Sequence, residues 1–409
     1  MNKRLAIITT HPIQYNAPWF ALLHQRGKVD IKVFYTWPQA VEGFDDPDFG
    51  KNIQWDIPLL KGYPYSFVKN VSVHPSSKTW KGIDNPTLID EVTQFEPNAI
   101  LVFGWKFKSH FALMRHFKGK IPVWFRGDST LLDYDIKGLK DIATRNNLTS
   151  HLSFLSSFKL YLKYRLRQTA LRLVYRYVDK ALYVGTNSRH YFMAHGLTNE
   201  QLVLAPHAID NQRFTYSIEV DYEMEAIKWR KELGISENDT VVLFAGKLEH
   251  KKNPLLLLNT IRELNQSGNS TIKLIFSGSG PLEAELKTIA GRDNNIRFIS
   301  FINQRRMPVA YRLATIFCLP SQGPEETWGL GVNEALASGR PVLVSDKVGC
   351  AADVVHASIG SIFSSGNASD LKAKLMELAK ENITPHACQQ HITSWSFEKI
   401  CNVIEKEMT

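Results

Sequence analysis

The chain has 409 residues, 44% hydrophobic and 22% charged, which excludes a disordered polypeptide and provides enough length for two or three domains. No apolar run approaches ~18 residues, which excludes an ordinary membrane-spanning helix. A formal net charge of +9 favours an anionic partner without choosing among nucleotides, nucleic acid and acidic lipid.

The N-terminal Leu5–Thr9 run is too short for a signal peptide and reads as a first buried strand. Ile31–Tyr35, Ala99–Phe103, Pro122–Phe125, Val178–Val184 and Gln201–Ala205 follow as predicted strands, with a helix over Ala17–His24. The second half repeats the theme with Thr240–Phe244, Ile272–Ser277, Ile296–Ile299, Ile316–Leu319 and Pro341–Ser345. Strand–helix alternation argues for parallel sheets covered on both faces, and two such series argue for two Rossmann-like domains. The polar stretch Arg213–Val220, before a charged helix over Tyr222–Leu233, marks the boundary. We therefore expect domains over 1–215 and 216–394, with a separate terminal helix at 395–409. Cys318, Cys350, Cys388 and Cys401 have no metal or redox spacing, so reduced thiols in a cytoplasmic protein are expected. Triplets such as Asn147-Leu148-Thr149 are read as chance, not as glycosylation sites.

Three motifs in the second half carry chemistry. Gly246 and Lys247, with Lys252 further along the same turn, follow a strand end, where open parallel sheets bind ligands; a solvated basic loop is the alternative. Gly278-Ser279-Gly280-Pro281 is either a tight strand-to-helix turn or a ligand-contacting one. The most informative segment is Glu326-Thr327-Trp328-Gly329-Leu330-Gly331, continuing to Glu334 and Gly339-Arg340-Pro341. Glycines let a backbone approach phosphates, and a helix opening there points its first amides at an anion. Glu334 is spaced to accept from a ribose diol, and Glu326 to reach the group beyond the diphosphate.

In this order, Gly246-Lys247-Leu248…Lys252-Asn253, Gly278-Ser279-Gly280-Pro281 and Glu326…Gly329-Leu330…Glu334-Ala335…Gly339…Pro341-Val342 resemble the retaining glycosyltransferases of family 4. Those enzymes have the GT-B fold, two Rossmann-like domains facing each other across a cleft, and the resemblance implies that the first domain binds acceptor, the second binds nucleotide-sugar, and the terminal helix 395–409 crosses back to the first. The resemblance covers roughly 241–355. It implies that Lys247 and Lys252 bind the donor diphosphate, that Glu326 contacts sugar hydroxyls, and that Gly329, Leu330 and Gly331 offer amides to the phosphates. Glu334 would hold the ribose. Lysine at 247 replaces the more usual arginine, keeping the charge but losing the bidentate fork.

The first half departs from the family. Thr10-His11-Pro12-Ile13-Gln14-Tyr15-Asn16 stands where a glycine-rich loop is common, so His11 and Gln14 are acceptor-side candidates; a capped turn is the alternative. Trp124-Phe125-Arg126-Gly127-Asp128 lacks the family's histidine. Arg126 could stabilise the leaving diphosphate and Asp128 a sugar or acceptor hydroxyl, unless they form a structural ion pair. Trp105, at another strand end, could stack on a sugar face or pack into the core. Finally, the basic, aromatic stretch 158–177 could rest on anionic lipid, pack internally with snorkelling side chains, or, less expected, meet nucleic acid.

The reading is a metal-independent retaining glycosyltransferase acting on a nucleotide-sugar donor and a glycan or lipid-linked acceptor in cell-surface polysaccharide synthesis. It would be cytoplasmic, at most peripheral on the membrane, with no cofactor and no nucleic-acid partner. The alternatives are a sugar-nucleotide epimerase or glycosyl phosphorylase on the same fold, or a basic binding protein with a degenerate sugar site.

Overall fold

A computed structural model describes residues 2–38, 45–46, 51–52, 55–133, 151–268 and 272–409. In chain order the first half contributes β1 (Lys3–Thr9), β2 (Val29–Tyr35), the short β3 (Asp45–Asp46) and β4 (Lys51–Asn52), then β5 (Tyr65–Phe67), β6 (Ala99–Phe103), β7 (Val123–Gly127), β8 (Lys180–Tyr183) and β9 (Leu202–Leu204). The second half contributes β10 (Thr240–Ala245), β11 (Ile272–Ser277), β12 (Ile296–Ile299), β13 (Ile316–Leu319), β14 (Val342–Ser345) and β15 (Gly360–Phe363). Strands β3 and β4 form a separate antiparallel pair. The others make two parallel sheets, ordered β5-β2-β1-β6-β7-β8-β9 and β12-β11-β10-β13-β14-β15. Each order reverses beside its first strand, as in doubly wound sheets, so the chain forms two Rossmann-like domains.

The central strands are continuous apolar runs because helices cover both of their faces. Leu5, Ile7 and Leu101 belong to one core layer, whereas Ala6, Ile8 and Val102 belong to the layer on the opposite face. In the second sheet Val241 and Leu243 belong to one layer, Val242 and Phe244 to the other. All four cysteines are buried and unpaired. Two edge strands, β5 and β15, were not anticipated. Each is short, and β15 opens on a glycine, so neither carries a long apolar run.

The C-terminal helix Phe397–Met408 packs on the first domain. Phe397, Ile400, Cys401, Ile404 and Met408 share a core with Trp19 and Leu23 of the Ala17–Arg26 helix. Lys180 and Glu407 form an ion pair that ties this helix to β8. Trp395, just before it, lies 5.3 Å from Trp328 of the second domain, centroid to centroid. The basic segment is the tail of a long helix, His151–Tyr175. The side chains of 151–161 and 163 and the Asn147 triplet lie outside the described residues. Among the described residues no helix is long and apolar enough to cross a membrane.

Candidate active site

At the C-terminal ends of β10, β11 and β12 the second domain opens into a cavity of about 290 Å³. Gly246 and Gly278 form its floor because their two turns are laced together. The Gly246 N–H donates to the Ser277 carbonyl at 2.9 Å, and the Leu248 N–H to the Ser279 carbonyl at 2.9 Å. Gly278 has φ +135°, and a Cβ there would stand 2.1 Å from the Gly246 carbonyl oxygen. Any other residue would force the two loops apart. Gly280 meets the Leu248 backbone in the same way. Gly246 and Gly278 therefore have a packing reason as well as a place on the cavity floor, whereas Gly280 packs outside it.

Lys252 extends across Gly246 to the rim, where its Nζ donates to Glu326 Oε2 at 2.6 Å. Ser321 Oγ donates to the same oxygen at 2.8 Å. Glu326 is buried, and these two donors offset the cost of taking its carboxylate out of water. Lys247 stands outside the cavity, its Nζ 3.8 Å from Glu249.

Gly329, in the left-handed region at φ +91°, starts the Leu330–Ala337 helix. Leu330 and Gly331 line the cavity with the helix amides behind them. One turn in, Glu334 is buried, and its oxygens accept from Tyr311 at 2.7 Å and from Tyr15 at 3.2 Å. Burial pushes its carboxyl above the ordinary range, opposed first by the Tyr311 bond, then by the charge of Arg213 and the Tyr15 bond. Tyr15 belongs to the first domain, so the carboxylate lining the cavity is shared between domains.

Other contacts draw the domains together around this point. Asp128 Oδ2 accepts from Thr327 Oγ1 at 2.7 Å, beside Glu326. Asp133 accepts from the Glu325 N–H at 2.8 Å. On the far side, Asp353 accepts from the Thr186 N–H at 2.9 Å, at the start of the Thr186–Ala194 helix.

Of the sequence candidates, Gln14, Gly246, Lys252, Gly278, Leu330, Gly331 and Glu334 meet at one cavity. Glu326 joins them through Lys252, and Asp128 through Thr327. Arg126 is buried, with Nη1 donating to the Ala205 carbonyl at 2.8 Å and Nη2 to Pro206 at 3.0 Å. Burial lowers its pKa to about 10, while Asp128 acts in the opposite direction. Its fork thus grips the chain leaving β9. His11 stays outside the cavity, its ring 5.5 Å from Trp37 and its Nδ1 3.0 Å from Thr10 Oγ1. Trp105 packs partly buried on the face of the first sheet that holds Phe125 and Tyr175.

Sequence reasoning missed Tyr15, Trp55, Phe301, Gln304 and Tyr311 on the cavity wall. It also missed His207, whose pKa is lowered to about 4 by burial, then by Arg126, against Asp128. A tyrosine beside the quoted Gln14 was the one available signal. Among the described residues no three His, Cys, Asp or Glu side chains gather as a metal site.

Residues 225–395 match the profile of glycosyl transferases group 1. An uncharacterized glycosyltransferase of Methanocaldococcus jannaschii is 26% identical over 36% of this chain and 37% of its own length. A Campylobacter jejuni enzyme, the alpha-1,4-N-acetyl-D-galactosaminyltransferase of a GalNAc-alpha-(1->4)-GalNAc-alpha-(1->3)-diNAcBac-PP-undecaprenol, is 23% identical over 64% of this chain and 66% of its own. The chain thus spans less than two thirds of each of these curated relatives. Among solved structures, Anabaena HepE in complex with UDP and glucose superposes with a TM-score of 0.64 at 14% identity, covering 100% of this chain and 99% of that one. Residues 225–395, most of the second domain, thus resemble the glycosyl transferases group 1 family, within a chain of GT-B fold.

Proposed function

We propose that the chain is a retaining, metal-independent family 4 glycosyltransferase that moves a sugar from a nucleoside-diphosphate sugar to a glycan or glycolipid acceptor during cell-surface polysaccharide synthesis. The observation that carries this reading is the single cavity on which Lys252, the start of the Leu330–Ala337 helix and Glu334 converge, with Glu326 held at its rim. A diphosphate would lie against Lys252 and the helix amides, with Lys247 close by in the same turn. Glu334 would accept from the ribose diol, and Glu326, released in part from Lys252, from sugar hydroxyls. As the glycosidic bond lengthens, negative charge builds on the leaving diphosphate, and these cations and amides stabilise that charge more than the ground state. The leaving phosphate oxygen takes the acceptor proton. No side-chain nucleophile is then required.

The named neighbours point the same way. HepE was solved with UDP and glucose, and the Campylobacter enzyme's name carries an undecaprenol-linked acceptor. A lipid-linked acceptor also suits the exposed helix tail. Leu162, Leu166 and Leu173 recur on one face and are 48%, 64% and 54% exposed, with Arg165, Arg172 and Arg176 alongside. Such a stripe is built to rest on an anionic leaflet, on the cytoplasmic side. Replacing the three leucines by serine should abolish cosedimentation with anionic vesicles; undiminished binding would remove this role.

The deciding experiment incubates the purified protein with UDP-, GDP- and ADP-sugars and a lipid-linked saccharide, with and without EDTA. Transfer with retained anomeric configuration, insensitive to EDTA, is expected. Sugar epimerised or released as a sugar phosphate without transfer would instead identify an epimerase or phosphorylase. Loss of transfer in EDTA with rescue by magnesium or manganese would overturn metal independence.

A further inference from the structure

Away from the cavity, two histidines meet on the surface of the second domain. His356 follows the short Ala351–Val354 helix, and His391 lies in the last turn of the Pro385–Ile392 helix. His356 Nε2 stands 3.0 Å from His391 Nδ1, and the rings cross at 84° with their centroids 4.4 Å apart. His356 is exposed and His391 half-buried.

The outer nitrogens are both anchored. His391 Nε2 lies 2.8 Å from the Val354 carbonyl, which can only accept. The neutral ring therefore carries its proton on Nε2, and Nδ1 turns a lone pair toward His356. Across the gap, His356 Nδ1 lies 2.8 Å from Ser358 Oγ. A hydroxyl donates or accepts, so His356 can hold its proton on either nitrogen. With the proton on Nε2, it donates to His391. With the proton on Nδ1, it donates to Ser358, and its Nε2 lone pair joins that of His391.

Two converging imidazole lone pairs suit a transition-metal ion. Metal–nitrogen bonds of ~2.0–2.1 Å, at the ~90–110° angles of octahedral or tetrahedral coordination, put the two nitrogens about 2.9–3.4 Å apart. The observed separation of 3.0 Å falls in that range, so small tilts of the rings about their outer hydrogen bonds bring both lone pairs onto one ion. Metal-ligating histidines characteristically donate their other N–H to an acceptor, and here each ring has one in place. Among the described residues no third His, Cys, Asp or Glu side chain completes the set, so water takes the remaining positions.

We propose that His356 and His391 form a chelate for a divalent transition-metal ion such as Zn²⁺, Ni²⁺ or Cu²⁺. The ion clips the chain beyond the Ala351–Val354 helix to the Pro385–Ile392 helix. Both elements reach other parts of the molecule: Asp353 accepts from the Thr186 N–H of the first domain, and the Ile392 carbonyl accepts from Asn211 Nδ2 at 3.1 Å. Unfolding separates the two histidines, so an ion held by both stabilises the native chain. Neither residue lines the donor cavity, so this site is independent of the transfer chemistry proposed above.

The test is calorimetry on the untagged full chain, stripped with EDTA and dialysed, then titrated with Zn²⁺ and with Ni²⁺. Wild type, His356→Gln, His391→Gln and a control, His386→Gln, on the same helix as His391, are compared. Wild type and the control should bind a single ion with equal affinity, and the other two variants should bind it roughly tenfold or more weakly. Saturating Zn²⁺ should raise the melting temperature of wild type and control but not of His356→Gln or His391→Gln, whose metal-free melting curves show that they fold. The Cu²⁺ complex of wild type should show two coordinating nitrogens by electron paramagnetic resonance. Wild-type affinity in His356→Gln or His391→Gln, an equal loss in the His386→Gln control, fewer than two nitrogens on copper, or a wild type that takes up no ion would each overturn the site.

Discussion

The two domains share a parallel-sheet plan but furnish the ends of their strands differently. In the second, β10 and β11 end in Gly246 and Gly278, turns so close that a single Cβ would separate them. In the first, the corresponding ends lead to side chains: Tyr15 after β1, Asp128 after β7, and Asp133 further along the same loop. Each of these reaches the second domain through a hydrogen bond, to Glu334, Thr327 and the Glu325 amide respectively. One domain offers bare backbone and fixed charge, as suits phosphates. The other offers hydroxyls and carboxylates that can be exchanged for a ligand's own groups. The contrast assigns the burden of binding to the glycine side and that of closure to the side-chain side.

On that division the largest effect belongs to Lys252→Met. It removes the cation at the rim and strands the Glu326 carboxylate, which is buried and keeps Ser321 as its remaining donor among the described residues. Turnover should fall on the order of a hundredfold or more. Activity within about threefold of wild type in the folded variant would move the phosphate site elsewhere.

Glu334→Gln comes next and sharpens the contrast because two readouts should move in opposite directions. Donor affinity should drop roughly tenfold to a hundredfold, the value of a charged hydrogen bond of about 1.5–3 kcal/mol. Stability should rise. A carboxyl whose pKa is raised on folding binds its proton more tightly in the native state, so stability falls as pH climbs through that range and the ionised group is a cost at neutral pH. The melting-point advantage of the glutamine variant should therefore be clear near pH 7 and vanish below the ordinary carboxylate pKa of about 4.3. A variant less stable than wild type at neutral pH would contradict this account.

Arg126→Lys probes the first domain. A lysine cannot fork to both the Ala205 and Pro206 carbonyls, and a buried carbonyl left without a donor costs about 1–3 kcal/mol. The expected result is a lower unfolding midpoint in denaturant with turnover per folded molecule nearly unchanged. A hundredfold loss of turnover at unaltered stability would instead give the guanidinium an electrostatic part in the reaction. Asp128→Asn should have the smallest effect, a severalfold loss of transfer, since an amide oxygen still accepts from Thr327 but without charge. No change at all would reduce Asp128 to a docking contact.

How much of this was written in the sequence follows from the range of the interactions involved. Buried parallel strands are uninterrupted apolar runs, so β1, β6, β10 and β11 are legible, whereas edge strands such as Tyr65–Phe67 lack that signature. The glycine and lysine turns are legible because their chemistry is contained in a few consecutive residues. Tyr15, Trp55 and Tyr311 are not. Each is an unremarkable aromatic until the fold brings it to a cavity assembled from distant segments. The same holds for Arg126, whose neighbourhood suggested a partner at Asp128 while its hydrogen bonds go to carbonyls some eighty residues away.

The packing of Phe397–Met408 against Trp19 and Leu23 bears on how the protein is made. The first domain is translated first, yet one layer of its core lacks five side chains until Phe397–Met408 has emerged from the ribosome. Domains elsewhere commonly fold in turn as they emerge. Here the earlier domain must wait, with an uncovered apolar strip, until the later one has been synthesised.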